Sequence, residues 1–266
     1  MKIQPLTQND ISFVPDLLPK GWEGEVSTIE SYIKSPFAFP VKANVDDKLV
    51  GIGTAIVYGE TAWLAHIIVH PEHRSQGIGK RITQTLVETS YSKDCETIYL
   101  SATELGEPVY KNLGFETETE YLIYKCDVKI EPFESSEKIV QNLPNFNSQI
   151  MDLDYKISGE DRKVLLEPNL SGAYIYLDDQ NVSGFYLPDL GDGLIVASTV
   201  TAGIELMKLR LNTNDEVSFL KDNLPATEFI LQQPFREVRK EKRMRLGKPR
   251  SWQPEGIFNR IGGNMG

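Results

Sequence analysis

VHPEHRSQGIGKRI, residues 69–82, is the stretch around which the rest of the chain can be read. It follows an apolar run at 61–69 and opens a segment in which Ile78, Ile82 and Leu86 recur every four residues, the pattern of a strand, a loop and an amphipathic helix. At such a passage the first backbone N–H groups of the helix have no partner within it, and the positive end of the helix dipole faces the loop. Gly77 and Gly79 take Cβ atoms out of the way of an approaching anion, while Arg74 and Lys80 add charge. The chemistry favoured is phosphate binding at a helix start. A Walker-type loop is excluded, because Arg74 and Arg81 stand where it needs Gly and Ser or Thr. A dinucleotide fingerprint is excluded too, because Ile82 takes the place of its third glycine.

Working outward, residues 2–6 read as a strand, and 10–18 and 27–34 as helices with Asn9 and Ser27 as N-cap types. The runs 49–58 and 61–69 form a hairpin around Gly59 and Glu60. A helix at 79–90, a strand at 97–101, a short helix at 108–112 and a closing strand at 118–126 complete an α+β unit, a mixed sheet flanked by helices. The charged, Pro-containing stretch 127–135 reads as a linker. Beyond it the order restarts with a hairpin at 172–177 and 182–187, a strand at 194–200, a helix at 203–210 and a strand at 229–231. The expected organisation is a first domain at 1–127 and a degenerate repeat at 128–266.

The composition fits that size. The 266 residues are 40% hydrophobic and 25% charged, enough to bury a core in one large or two small domains. Lys and Arg number 28 against 38 Asp and Glu, a net charge of −10, which argues against a general binder of nucleic acid or anionic membranes. Residues 235–250 run the other way at +6, the pattern of a strand with outward charges. The N-terminus lacks the apolar core of a secretion signal, and the longest apolar stretch, 194–207, is broken by Ser198, Thr199, Thr201, Gly203 and Glu205. It falls short of the ~20 apolar residues of a membrane span, so the expected location is the cytoplasm.

Arg74-x-x-Gly77-x-Gly79, followed by SATELGEPVYKNLGF at 101–115 with its Tyr110-x-x-x-Gly114-Phe115 ending, resembles the GNAT superfamily of acyl-CoA-dependent N-acetyltransferases. The resemblance covers residues 1–127 and implies a GNAT-like sheet flanked by helices, with acetyl-CoA as cosubstrate. It further implies that Ile67 and Val69 offer backbone groups to pantetheine, that Arg74, Ser75, Gln76, Gly77, Ile78, Gly79 and Lys80 hold the pyrophosphate, and that Tyr110 protonates the departing thiolate. A phenol with a pKa near ~10 is protonated at neutral pH, as that role requires.

Two places depart from the commonest family pattern. Thr103 stands where an asparagine often meets the pantetheine, and Trp63 where a carboxylate often serves as base. His66 is the candidate base; a water chain to Glu23 or Glu25, or an amine that arrives neutral, are the alternatives. The loop carrying Trp22, Glu23 and Glu25 suits a cationic or aromatic amine. His66 and His70 would lie roughly 13 Å apart on an extended strand, too far to share an ion, so no metal is expected. Cys95 and Cys126 are not assigned as nucleophiles. The ending RMRLGKPRSWQPEGIFNRIGGNMG at 243–266 resembles the GNAT-like domain fused behind some catalytic GNAT domains, so 128–266 is expected to be a degenerate GNAT-like domain. It carries Gly203 alone in place of the loop, and Ile230 in place of the tyrosine, so it is expected to bind no CoA. The function expected is transfer of an acetyl group to a small-molecule amine in a ternary complex, with neither nucleic acid nor membrane as partner and a homodimer left open. A non-catalytic acyl-CoA sensor or scaffold is the alternative.

Overall fold

The computed structural model describes residues 1–22 and 24–266, and the chain divides into two compact units. The first holds residues 1–116 together with 244–248. Its elements are β1 (Lys2–Pro5), a 3-10 segment (Gln8–Leu17), α1 (Glu25–Lys34), β2 (Ala38–Val45), β3 (Lys48–Tyr58), β4 (Thr61–Val69), α2 (Ile78–Tyr91), β5 (Thr97–Ala102) and α3 (Glu107–Lys111). The strands lie in the order β1-β2-β3-β4-β5, antiparallel except that β4 and β5 run parallel. This is the α+β mixed sheet flanked by helices. On one face Ile78, Ile82 and Leu86 of α2 bury themselves with Ala43, Ala55, Leu64 and Leu100.

Two glycines set how close α2 comes. A Cβ at Gly51 would lie 2.9 Å from Ile82 Cδ1, and one at Gly53 would lie 2.7 Å from Ile82 Cγ2 and 3.0 Å from Leu86 Cδ1. The helix therefore rests on bare backbone.

Several elements differ from the sequence reading. Residues 10–18 form part of a 3-10 segment with Pro15 inside it, since proline removes the amide an α-helix would need there. Its start is a capping box between Thr7 and Asp10 rather than a cap at Asn9. α1 begins at Glu25 after Gly24, and the Ser27 hydroxyl donates back to the Gly24 carbonyl at 3.0 Å instead of capping. The strand β2 was not expected; its Pro40 lies in a ladder that pairs with Thr54 of β3.

The second unit holds residues 117–243 and 249–264. It contains β6 (Glu116–Lys125) from Thr117, β7 (Ile139–Gln141), α4 (Asn147–Ser158), α5 (Lys163–Leu166), β8 (Tyr174–Asp178), β9 (Asn181–Leu187), β10 (Leu194–Ala197), α6 (Val200–Leu211), β11 (Glu216–Leu220), α7 (Leu224–Leu231), β12 (Arg236–Gly247) through Arg243, and β13 (Ile257–Asn259). β6 is hydrogen-bonded to β11 and from Thr117 counts with the second unit. A five-stranded sheet runs β13-β10-β9-β8-β7.

From β10 onward the order β-α-β-α-β repeats that of β4 through β6. Residues 229–231 are the end of α7, not a strand, because the Asn223 side chain accepts from Ala226 N–H at 3.0 Å and Pro225 occupies the first turn. The strand expected over 194–200 ends at Ala197, because Thr199 caps α6 by accepting from Ala202 N–H at 3.3 Å. No helix among the described residues is long and apolar enough to cross a membrane.

Gly203 lies within α6, and a Cβ there would sit 2.2 Å from the ring of Phe258, itself 1% exposed. Gly203→Ala gains about 1 kcal/mol of helix propensity but overpacks at a cost of about 1–3 kcal/mol. With the ring unable to retreat, the clash wins: denaturant unfolding should show the variant less stable by about 1–2 kcal/mol.

Candidate active site

The chemistry-bearing residues of the first unit gather where β4 and β5 part. The parallel ladder runs from Thr61↔Thr97 to Leu64↔Leu100 and stops, although β4 continues to Val69 and β5 to Ala102. Beyond that point the β4 edge that faced β5 carries no strand, so Ile67 and Val69 lie on a backbone edge open to an extended ligand. On the other side β4 stays paired with β3, out to Gly51↔Val69.

β4 also contains a bulge. Ile52 pairs with Ile68 and Thr54 with Ala65, so His66 and Ile67 together face Gly53. His66 takes the surplus place with φ +48, a left-handed conformation in which histidine is one of the more tolerated residues. Its side chain is 7% exposed. Nε2 lies 3.0 Å from Glu25 Oε2 and Nδ1 lies 3.1 Å from the Tyr32 hydroxyl, both from α1. The Trp22 ring meets the imidazole edge-on at 6.1 Å. Thus Trp22, Glu25 and His66, three candidates scattered over the sequence, come together, and Tyr32 joins them. Glu23 lies outside the described residues. Tyr32 is invisible as a site residue in the sequence, where it fills an ordinary apolar position of α1. The hydrogen bond from His66 holds the Glu25 carboxyl below its ordinary range, against the opposing effect of burial. Trp63 is buried and packs on Tyr99 at 5.3 Å, so it contributes packing rather than chemistry.

The glycine-containing loop follows Val69. Pro71–His73 form a 3-10 turn, Ser75 has φ +61, and Gly77 sits at the helix N-cap with φ +77 and open space where its Cβ would be. The first α2 hydrogen bond runs from Arg81 N–H to the Gly77 carbonyl at 3.1 Å, so the N–H groups of Ile78, Gly79 and Lys80 have no partner within the helix. Arg74, Ser75, Gln76, Gly77 and Lys80 are exposed around them. Arg74 Nε donates to the Val69 carbonyl at 3.1 Å, which fixes the guanidinium beside the loop, and Gln76 Nε2 donates to the Glu72 carbonyl at 3.3 Å. Exposed amides, a dipole and two cations can hold a phosphate-bearing ligand.

Tyr110 lies on α3 against Phe115, ring to ring at 6.0 Å in a T arrangement, with Gly106 beneath its hydroxyl end. Burial pushes its phenol up to about 12. Thr103 is exposed at the start of α3, where its carbonyl accepts from Gly106 and Glu107 and its hydroxyl from Gly106 N–H at 3.4 Å. Cys95 is buried and its thiol is pushed up to about 11, so it is a packed thiol rather than a nucleophile. The rings of His70 and His73 stand 5.8 Å apart, and His70 Nδ1 accepts from Glu72 N–H at 3.3 Å. Among the described residues no group of three His, Cys, Asp or Glu side chains converges as a metal site.

The family whose model matches the chain is described as the acetyltransferase (GNAT) family, over residues 11–115. Among curated relatives, "Probable acetyltransferase TAP2" of Glycine max is 31% identical over 98 residues, which are 36% of this chain and 38% of that protein. "GCN5-related N-acetyltransferase 2, chloroplastic" of Arabidopsis thaliana is 33% identical over 78 residues, 28% of this chain and 30% of that protein. The chain thus spans about a third of the length of these relatives. A crystal structure of a Pyrococcus horikoshii protein superposes with a TM-score of 0.84 at 24% identity, covering 100% of this chain and 95% of that one, so the same fold recurs over the full length.

The Glu25–His66 bond carries a pH signature. A carboxyl held below its ordinary value stabilises the fold above its unfolded pKa, near 4.5, and that contribution is lost as pH falls through the lower folded value. The stability difference between the wild type and Glu25→Gln, measured by urea unfolding, should therefore be present at neutral pH and shrink on acidification below 4.5.

Proposed function

With residues 11–115 matching the model of the acetyltransferase (GNAT) family, we propose that this protein transfers the acetyl group of acetyl-CoA to the primary amine of a small cationic molecule, by direct attack in a ternary complex. The observation that carries the reading is the parting of β4 from β5 directly before the amide-lined start of α2. An extended pantetheine arm needs an unpaired strand edge, and a pyrophosphate needs clustered donors; the chain offers both in sequence. Ile67 and Val69 supply the edge, and Arg74 through Lys80 the donors. Trp22, 38% exposed, and Glu25, 40% exposed at its side chain, form a rim of one aromatic face and one carboxylate suited to an ammonium group.

Acetyl-CoA supplies an acyl group on a thioester. The chain's part is to orient it along β4, to receive a proton from the amine at the Glu25–His66 pair, and to donate a hydrogen bond from the Tyr110 hydroxyl to the departing sulfur. Bonds balance without another reactant: N–C replaces C–S, the proton lost by nitrogen leaves to water, and the departing thiolate, held by the Tyr110 hydrogen bond, regains one from water. No covalent enzyme intermediate is required, in keeping with the buried cysteines.

The second unit lacks the same equipment. Thr199 caps α6 directly after β10, Phe258 fills the space over Gly203, and buried Ile230 stands on α7 where the first unit has Tyr110. Calorimetric titration should therefore give one acetyl-CoA bound per chain. Arg74→Ala should weaken that binding by about 10-fold, the loss of one charge-assisted contact.

Tyr110→Phe separates chemistry from binding. The ring and its packing stay, so fold and acetyl-CoA affinity should hold while kcat falls by roughly 10²–10³, the range for losing one hydrogen-bond donor to developing charge. Thiol release at saturating acetyl-CoA measures it, and normal turnover by this variant would remove Tyr110 from the reaction.

A further inference from the structure

We propose that His66 is a positioning residue, and that Glu25 is the group that meets the acceptor amine and takes its proton. The inference rests on the amine-acetylating reading above and divides labour within its Glu25–His66 pair.

The division follows from what each ring nitrogen faces. An ionised carboxylate can only accept, so while Glu25 is ionised the His66 Nε2 must carry a proton and donate it across the 3.0 Å contact. The only place for a second proton is Nδ1, which faces the Tyr32 hydroxyl at 3.1 Å, on a residue 5% exposed. Trp22 covers the ring edge-on, and 7% of the His66 side chain reaches solvent. A general base must lie within hydrogen-bond reach of the proton it removes, and here both nitrogens are spoken for by α1. Glu25 is different. It opens α1, its side chain is 40% exposed, and a carboxylate bonded to His66 and to the Thr28 side chain still keeps lone pairs to spare.

The strain at His66 has the same sense. A non-glycine residue at φ +48 within a strand persists only where its surroundings over-determine it, and two hydrogen bonds to one helix do so. The bulge thereby ties β4 to the first turn of α1 and fixes the direction of the Glu25 carboxylate. In the reaction, the amine N–H bond breaks as the new N–C bond forms. The proton passes to a Glu25 oxygen and on to water at its exposed side, while His66 keeps its proton on Nε2 throughout.

Two replacements of His66 test this. Gln keeps an amide donor for Glu25 but cannot act as a base, whereas Leu keeps neither. With spermidine and tyramine as acceptors and thiol release as readout, His66→Gln should lower kcat/KM by about 3–10-fold and His66→Leu by about 100-fold, with acetyl-CoA affinity intact in both. Glu25→Gln should lower it by about 100-fold or more. Equal losses of 10²–10⁴ in the Gln and Leu variants beside an active wild type would make His66 the base and overturn the inference alone. A wild type that binds acetyl-CoA yet releases no thiol with any small amine would overturn the proposed function and this role with it. Should the variants fold poorly, 15N-histidine NMR of the wild type decides. A persistent Nε2–H signal for His66, lost in no working condition, supports the positioning role, and a neutral ring protonated at Nδ1 instead overturns it.

Discussion

One surplus residue in β4 governs the geometry of the first unit. Up to Leu64 the strand alternates in the ordinary way, with Ala62 and Leu64 turned to the core under α2. Without a bulge, residues 66 and 68 would continue that face. The bulge opposite Gly53 shifts the parity, so Ile67 and Val69 pack with Ile78, Ile82 and Leu86 instead. His66 is freed from the core face and reaches α1. The same interruption coincides with the end of pairing to β5, so one irregularity serves both ends of the proposed site: a free strand edge on one side and a side chain turned toward α1 on the other.

Two of the chain's helix starts, those of α2 and α6, show what the loop before α2 costs and what it supplies. Between β4 and α2, residues 70–77 hold a 3-10 turn and two left-handed residues, Ser75 and Gly77, and leave helix amides unsatisfied by the protein. Between β10 and α6 there are only residues 198–199, and Thr199 satisfies Ala202 at once. The second arrangement is the ordinary way to begin a helix. The first leaves donors and a dipole unspent, which a fold tolerates at a surface and a ligand exploits.

These contrasts explain which parts were legible in the sequence. Gly77, Gly79 and the period of Ile78, Ile82 and Leu86 are local signals, and α2 appeared where they put it. The hairpin of β3 and β4 was readable for the same reason, from two apolar runs and a Gly59 turn. The bulge was not, because TAWLAHIIV is apolar on both faces and its parity emerges only from pairing with β3. Tyr32 was missed because its role comes from a contact thirty-four positions away in the chain. In the second half, Leu224–Leu231 is rich in apolar residues with no polar face to betray a helix, while Asn223 and Pro225 held the cue to its start. The division of the chain depends on which strands pair with β6, and no local pattern records that.

The buried phenol limits what Tyr110 does in the proposed reaction. Held at about 12, it keeps its proton at neutral pH. An alkyl thiol titrates near ~8.5, so complete transfer from this phenol to a resting thiolate runs uphill by roughly 5 kcal/mol at ~1.4 kcal/mol per pKa step. Its contribution is therefore a hydrogen bond that strengthens as charge gathers on sulfur, in a site where burial makes that bond worth more than in water. A donor of this kind does not titrate in the working range, so Tyr110 sets the height of the pH profile and not its shape. The limb of that profile belongs to the amine and to the carboxylate that meets it.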